Sequence, residues 1–452
     1  MSLLSSRALK HGIERKGIAM LRPDINELLT QTGPGTPMGE LFRRYWQPIL
    51  HTDELPEDGC PPVRVKLLSE RLIAVRTPEG EYGLMDEFCA HRGVSMFFGR
   101  VENGGIRCPY HGWKYNANGQ AIEVPSELNN SEFCKNVKLR SYPLAKVGDL
   151  LWAYLGDPQK QPPLPTWEFA TVPSGQTFTS KRLQESNWLQ ALEGGIDSSH
   201  VTWLHGGGPT GAGLEADPLF AGAKGNQYNK GDVKPFFEVV ENEGGLLIGA
   251  RRNAEENHYY WRITPWVIPN FTMVPPRGDH PVHGHFWVPI DDENCWAWSF
   301  DYHPTRDLTE AEVSAMKAGA GVHSKNIPGT YRPEANKDND YLINRHKQKT
   351  GELFSGVEGI AIQDSSLQES MGPTVDRTKE RLVATDAGII KARQKLRRVV
   401  EALRDHGTEP MGNVPEHQNI RSVAIVLPAD QPFVEGIGDG FKAREGVPQT
   451  TV

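Results

Sequence analysis

Phe88-Cys89-Ala90-His91-Arg92-Gly93 is answered downstream by Arg107-Cys108-Pro109-Tyr110-His111-Gly112-Trp113-Lys114-Tyr115. The donor residues read Cys-x-His, sixteen residues, Cys-x2-His. Each short loop therefore carries one thiolate and one imidazole. The commonest structural zinc fingers instead put both cysteines on one turn and both histidines on another. When each loop offers both donor types, two loops can serve two unlike metals, one taking the sulfurs and the other the nitrogens. A mixed Cys/His zinc site is the competing assignment for the same four residues. Gly93 and Gly112, each just after a histidine, and Pro109 suit tight loops that bring backbone N–H groups close to sulfur.

Two irons ligated in this way make a Rieske [2Fe–2S] centre, in which two histidines replace two cysteines on one iron and raise its potential. The runs CAHRG and CPYHGWKY resemble the Rieske domain of the Rieske non-haem iron oxygenases. In that reading Cys89, His91, Cys108 and His111 hold the cluster.

The 452 residues suffice for two or three domains. A net charge of −8, with no dense basic block, excludes a nucleic-acid partner. No apolar run approaches a membrane span, and the first residues lack a secretory core. If Cys89 and Cys108 bind metal, Cys60, Cys134 and Cys295 remain as free thiols, which points to a reducing cytoplasm.

Residues 1–19 are weakly basic and patternless, an expected extension. With the predicted helices Asp24 to Leu29 and Met38 to Trp46, the latter stopped by Gln47-Pro48, they fill 1–47. From 48 to 156 short alternating strands predict a small all-β domain with the metal loops at one tip. Pro158, Pro162, Pro163 and Pro165 make 157–166 a stiff linker. A second domain spans 167–407, and 408–452 reads as an extended tail that could lie on a neighbouring subunit.

The informative stretch of that second domain is Asn187 to His205. Glu193, Asp197 and His200 stand at i, i+4 and i+7, so one helical face would carry all three. His205 lies five residues past His200, off that face in a regular α-helix. If both histidines bind one metal, the helix must distort or break between them, and a π-bulge is one way. Two imidazoles need a carboxylate to complete a 2-His-1-carboxylate site with open positions for O₂ and substrate. By pattern Asp364, Glu358 and Glu369 all compete for that place. Glu-x3-Asp-x2-His-x4-His resembles the mononuclear iron motif of the same oxygenases. Gln363-Asp364-x4-Glu369-Ser370-Met371-Gly372-Pro373 is similar to the third-ligand segment of their phthalate dioxygenase branch. The resemblance selects Asp364.

Between these motifs Leu246 to Arg251, His258 to Thr264, His283 to Pro289 and Cys295 to Tyr302 alternate as antiparallel strands. Their aromatics could line an apolar pocket, although at least half are expected to be sheet core. Thr309-x-x-Glu312 is a capping box that opens a helix. Ala318 to Asn339 is a long polar loop. Asp386 to Asp405 is a helix whose Lys391, Arg393, Lys395, Arg397 and Arg398 are expected to face solvent.

The likeness extends from about Gly33 to His406 and implies an α+β fold, an N-terminal all-β Rieske domain followed by a helix-grip catalytic domain. It further implies Fe(II) at His200, His205 and Asp364, with O₂ as co-substrate. Electrons would come from NADH through a separate flavin and [2Fe–2S] reductase, and the assembly would be a homotrimer or stacked hexamer. Asp197, with Glu193 nearby, would bridge His111 of one subunit to His200 of the next. Arg262 is similar in position to an arginine that anchors an aromatic carboxylate, and a solvent-facing strand arginine is the competing reading. Asn226-Gln227-Tyr228 offers no comparable second anchor. The implied activity is dihydroxylation or O-demethylation of an aromatic acid. A Rieske electron carrier would need only the first 160 or so residues, and a zinc-stabilised binding protein would contain no iron.

Overall fold

The computed structural model describes residues 21–211 and 213–452, so the stretch 1–19 lies outside the described residues. Val63-Arg64-Val65-Lys66-Leu67 forms a strand that buries Val65 and Leu67, as its period of two demands. It pairs with Glu70–Arg76, which pairs in turn with Tyr82–Asp86 and then Ser141–Tyr142. A second four-stranded sheet, Arg100–Glu102, Gly105–Arg107, Lys114–Tyr115 and Ala121–Glu123, carries the Cys108–His111 loop. A third sheet joins Gln47–His51 to Leu150–Ala153 and Leu144–Val147.

The first hairpin turns through Leu68 and Ser69, both at positive φ (49° and 65°). Glycine and asparagine normally occupy such positions. Here the strain is offset by docking. Leu68 and Ser69 donate their N–H groups to Pro289 and Ile290 of the following domain at 3.1 and 2.8 Å. Lys66 also reaches Asp291 at 2.5 Å.

The second domain is an antiparallel sheet. Its order is Thr177–Gln184, Cys295–Tyr302, Val282–Pro289, Phe271–Val274, His258–Val267, Gly245–Asn253 and Phe236–Glu241. The helix Trp188–Gly195 lies against the middle of this sheet, and Ile360–Ser370 packs beside that helix. Ala387–His406 covers the Phe236–Glu241 end. The described residues thus form an N-terminal Rieske-type β domain and an antiparallel-sheet domain with helices.

Four expectations need correction. The helix predicted to reach Trp46 ends at Phe42, because Arg44 and Tyr45 donate to the third carbonyl back, Leu41 and Phe42, and tighten the chain into the strand holding Pro48. The supposed tail is integral: Val423–Pro428 pairs with His258–Ile263 of the same chain. Its apolar, β-branched run completes a sheet edge that would otherwise be exposed. On Ala387–His406 the basic face is divided. Lys391, Arg397 and Arg398 are exposed, whereas Arg393 and Lys395 are buried in ion pairs. Finally, Trp188–Gly195 stops before Asp197, so no single helical face carries Glu193, Asp197 and His200.

Candidate metal centres and substrate cavity

The two Cys/His loops fold alike. Gly93 N–H bonds Cys89 O at 2.9 Å and Gly112 N–H bonds Cys108 O at 3.1 Å, with both glycines left-handed at φ +72° and +75°. A side chain at either position would strain the turn. The loops bury both sulfurs and expose both imidazoles. The His91 and His111 rings lie 4.5 Å apart, and Trp113 stacks on His91. Arg107 ties the second loop down, donating to Gly112 O at 2.7 Å and pairing with Glu102 and Glu123. Burial, opposed by the Tyr110 N–H and reinforced by Cys89 alongside, pushes the Cys108 thiol up. The two sulfurs are buried side by side, and thiolates there fit a cationic centre between them.

A single zinc ion would draw its ligand atoms to roughly 3.5 Å of one another. Among the described residues, the one group with three donors all within 4.8 Å is His200, His205 and Asp364, not the Cys/His set. The loops are thus set for something wider than one ion, with sulfur inside and nitrogen outside. Tyr115 bears on that centre directly. Its hydroxyl accepts Ala90 N–H at 3.2 Å and lies 3.3 Å from Cys89 Sγ, so its O–H is the donor of that pair once Cys89 is a thiolate ligand. Hydrogen bonds to ligating sulfur stabilise the reduced cluster. Tyr115→Phe should lower the midpoint potential by about 60 mV, the one-electron equivalent of ~1.4 kcal/mol. Redox titration followed by electron paramagnetic resonance checks this.

The second centre forms where the helix Trp188–Gly195 has ended. From Val201 to His205 the backbone makes a π-turn, with Gly206 N–H bonded to Val201 O at 2.8 Å. Five-residue hydrogen bonding brings residues five apart onto one face, which answers the spacing problem posed by His200 and His205. Their Nε2 atoms face each other at 3.2 Å, and Asp364 Oδ1 lies 3.4 Å from the first and 3.2 Å from the second. Three ligands on one face of an octahedron about 2.1 Å from a metal stand roughly 3 Å apart. The triangle fits one ion.

The tautomers are set from behind. His205 Nδ1 donates to Gln363 Oε1 at 2.8 Å, and Gln363 Nε2 is anchored on Val357 O. His200 Nδ1 faces Asp197 Oδ2 at 3.5 Å. Both Nε2 lone pairs are thereby directed inward. Burial works against the Asp364 charge, but His205, His200 and Arg182 hold its carboxyl down to about 2.

The competing acids lie elsewhere. Glu358 pairs with Lys347 at the surface, and Glu369 accepts from Tyr341. Glu193 is buried and clamped by Arg377 and Arg393 at 2.9 and 2.6 Å. Its side chain does not line the cavity.

Asp364, His200 and His205 open onto a cavity that is continuous with solvent. Asp197 lines it too, as does Arg262, which is buried rather than solvent-facing. Of the strand aromatics considered from sequence, only Trp287 lines this cavity; the others serve mainly as core. Among the polar residues that line or support the cavity, Gln363, Arg277, His283 and His285 carry no role predicted from sequence. Gln363 adjoins Asp364 and was signalled by that proximity. The other three lie within β-rich sequence that carries no motif.

Residues 45–143 match the Rieske [2Fe-2S] domain family, and residues 153–432 match the family described as LigXa C-terminal domain like. The 3-chlorobenzoate-3,4-dioxygenase oxygenase subunit of Comamonas testosteroni is 38% identical over 410 residues, covering 86% of this chain and 90% of the relative. The chain belongs to the Rieske non-haem iron oxygenases. Another relative of this Rieske oxygenase is the phthalate 4,5-dioxygenase oxygenase subunit of Pseudomonas putida, 33% identical over 382 residues, with 83% and 85% coverage. Crystalline dicamba monooxygenase bound to dicamba shares the fold at a TM-score of 0.56 and 16% identity, covering 80% of this chain and 98% of that one. As a Rieske oxygenase the chain is an oxygenase subunit that uses a [2Fe–2S] cluster, mononuclear iron and O₂. No helix among its described residues is long and apolar enough to cross a membrane.

Proposed function

We propose that this oxygenase subunit acts on an aromatic carboxylic acid, dihydroxylating the ring or removing an O-methyl group according to which carbon is presented to the iron. What supports the reading is a single juxtaposition. A triangle of donor atoms with edges of 3.2–3.4 Å opens onto a cavity whose wall holds the buried, unpaired guanidinium of Arg262. In this reading Cys89, His91, Cys108 and His111 hold the cluster, and His200, His205 and Asp364 hold the iron. When bound, the cluster supplies electrons and the ferrous iron supplies O₂ reduction.

The chain's own residues do the rest. Among the described residues Arg262 Nε and Nη1 are buried without a partner, a costly state that a two-pronged carboxylate relieves. Trp287 offers an aromatic wall beside it. Gln363 and Asp197 hold the two imidazole rings. The loop imidazoles face solvent, and no residue of the Rieske sheets lines the cavity. That arrangement supports transfer between subunits: Asp197 would accept a hydrogen bond from His111 of the partner subunit in a homotrimer or stacked hexamer. Electrons would arrive from NADH through a separate flavin and [2Fe–2S] reductase in the cytoplasm.

Mass-spectrometric product analysis over a panel of benzoates and methoxybenzoates, with a generic reductase, tests the activity. Conversion confined to non-acidic aromatics would refute it. Arg262→Ala should raise KM for the accepted acid by about 10²-fold with little change in kcat, since a charge-assisted pair is worth ~3 kcal/mol. An unchanged KM for every acid tested would remove Arg262 from this role.

A further inference from the structure

The iron end of the cavity balances its charge with Asp364 and Asp197. The opposite wall does not. Arg262 and Arg277 are 1% and 3% exposed, and both line the cavity. Among the described residues neither forms an ion pair or a side-chain hydrogen bond, and Arg262 Nε, Arg262 Nη1 and Arg277 Nε are buried without partners. The acid nearest in influence to Arg277 is Asp217, whose oxygens accept Leu219 and Gly321 N–H groups at 2.9 and 2.8 Å. Arg277 instead rests on the Phe220 ring, 4.5 Å from its centroid. Behind them Arg252, also buried, bonds only carbonyl and hydroxyl oxygens. Burial, and then the neighbouring Arg262, pull the Arg277 guanidinium down to about 9.

The two cations are neighbours. Trp266 pairs with Thr272 and Val267 with Phe271. Beyond that pair Val423–Pro428 takes over the edge, with Ala424 facing Arg262, and residues 275–277 leave the sheet, so that Val274, Pro275 and Arg277 line the cavity together with Arg262 and Thr264. A buried charge without a counter-charge is strongly unfavourable. One carboxylate would relieve only one of these guanidiniums.

We propose that Arg277 is a second anion anchor and that the substrate is an aromatic acid with two carboxylates, one held by Arg262 and the other by Arg277. This rests on the aromatic-acid reading above and narrows it. No motif marks Arg277, and Asn226, in the stretch without a comparable anchor, is buried and bonded to Glu215 and Phe220 O.

Isothermal titration of the iron-loaded protein, without O₂, against benzoate, phthalate, isophthalate and terephthalate tests it. At least one dicarboxylate should bind about tenfold or more tighter than benzoate. Arg277→Gln should abolish that advantage and leave benzoate within about twofold, with Arg277→Lys restoring part of it. The unchanged visible spectrum of the cluster confirms folding. The inference is overturned if the parent binds benzoate as tightly as every dicarboxylate, or if Arg277→Gln weakens benzoate and dicarboxylates equally. Arg262→Gln separates the two levels. If it changes no acid's binding, the aromatic-acid reading itself falls. If it weakens every acid while Arg277→Gln changes nothing, only the second anchor falls.

Discussion

Asp364→Ala is expected to leave a coloured protein that has lost its mononuclear iron and its turnover. The carboxylate contributes the only full negative charge to the three-donor triangle, and its Oδ1 stands within 3.4 Å of both imidazole nitrogens. Without it, two neutral imidazoles must hold a divalent ion, a set more easily stripped. The Cys89 and Cys108 loops belong to a different sheet and stay intact. Iron analysis should therefore fall to the content of the cluster alone. Turnover should drop by at least on the order of 10³-fold, since the metal accounts for several kcal/mol of barrier lowering. Full iron content in this variant would show that another residue completes the site, and neither Glu358 nor Glu369 is placed to do so.

Asp197→Ala is expected to separate metal content from electron supply. Asp197 meets His200 at Nδ1, away from the donor triangle, and its other oxygen accepts Ser199 N–H at 2.7 Å. Burial disfavours its charge, but His200 and the Ser199 N–H keep the carboxyl below its ordinary value, so it remains an acceptor at neutral pH. Removing it should spare both metal sites while slowing reoxidation of the reduced cluster by at least about 10²-fold, at the upper end of what a residue supporting a ligand contributes. Rapid mixing of reduced protein with O₂ and substrate reads this directly. Bleached cluster absorbance that recovers at the parent rate would defeat the bridging role. His200 orientation then remains the whole of what Asp197 does, and a modest loss of iron affinity would be its only trace.

Glu193 shows why helical spacing alone misled. Read as i, i+4, i+7, it belongs with Asp197 and His200. The helix stops at Gly195, and the acid turns back toward Arg377 and Arg393, residues nearly two hundred positions away. A buried carboxylate answered by two guanidiniums is a structural clamp, and nothing local in the sequence marks the partners.

The sequence by itself determined the donor chemistry and the domain class. Cys-x-His and Cys-x2-His fix which atoms each short loop can offer, because ligands one to three residues apart cannot be separated by folding. Alternating strands and the Glu-x3-Asp-x2-His-x4-His run likewise act over a few residues. Only the tertiary structure put Asp364, and neither Glu358 nor Glu369, beside the two imidazoles, turned His200 toward His205 through a π-turn, added Val423–Pro428 to the sheet and put Arg277 on the same cavity as Arg262. Each of those depends on contacts between distant segments, where burial and charge balance select the partner and local pattern is silent.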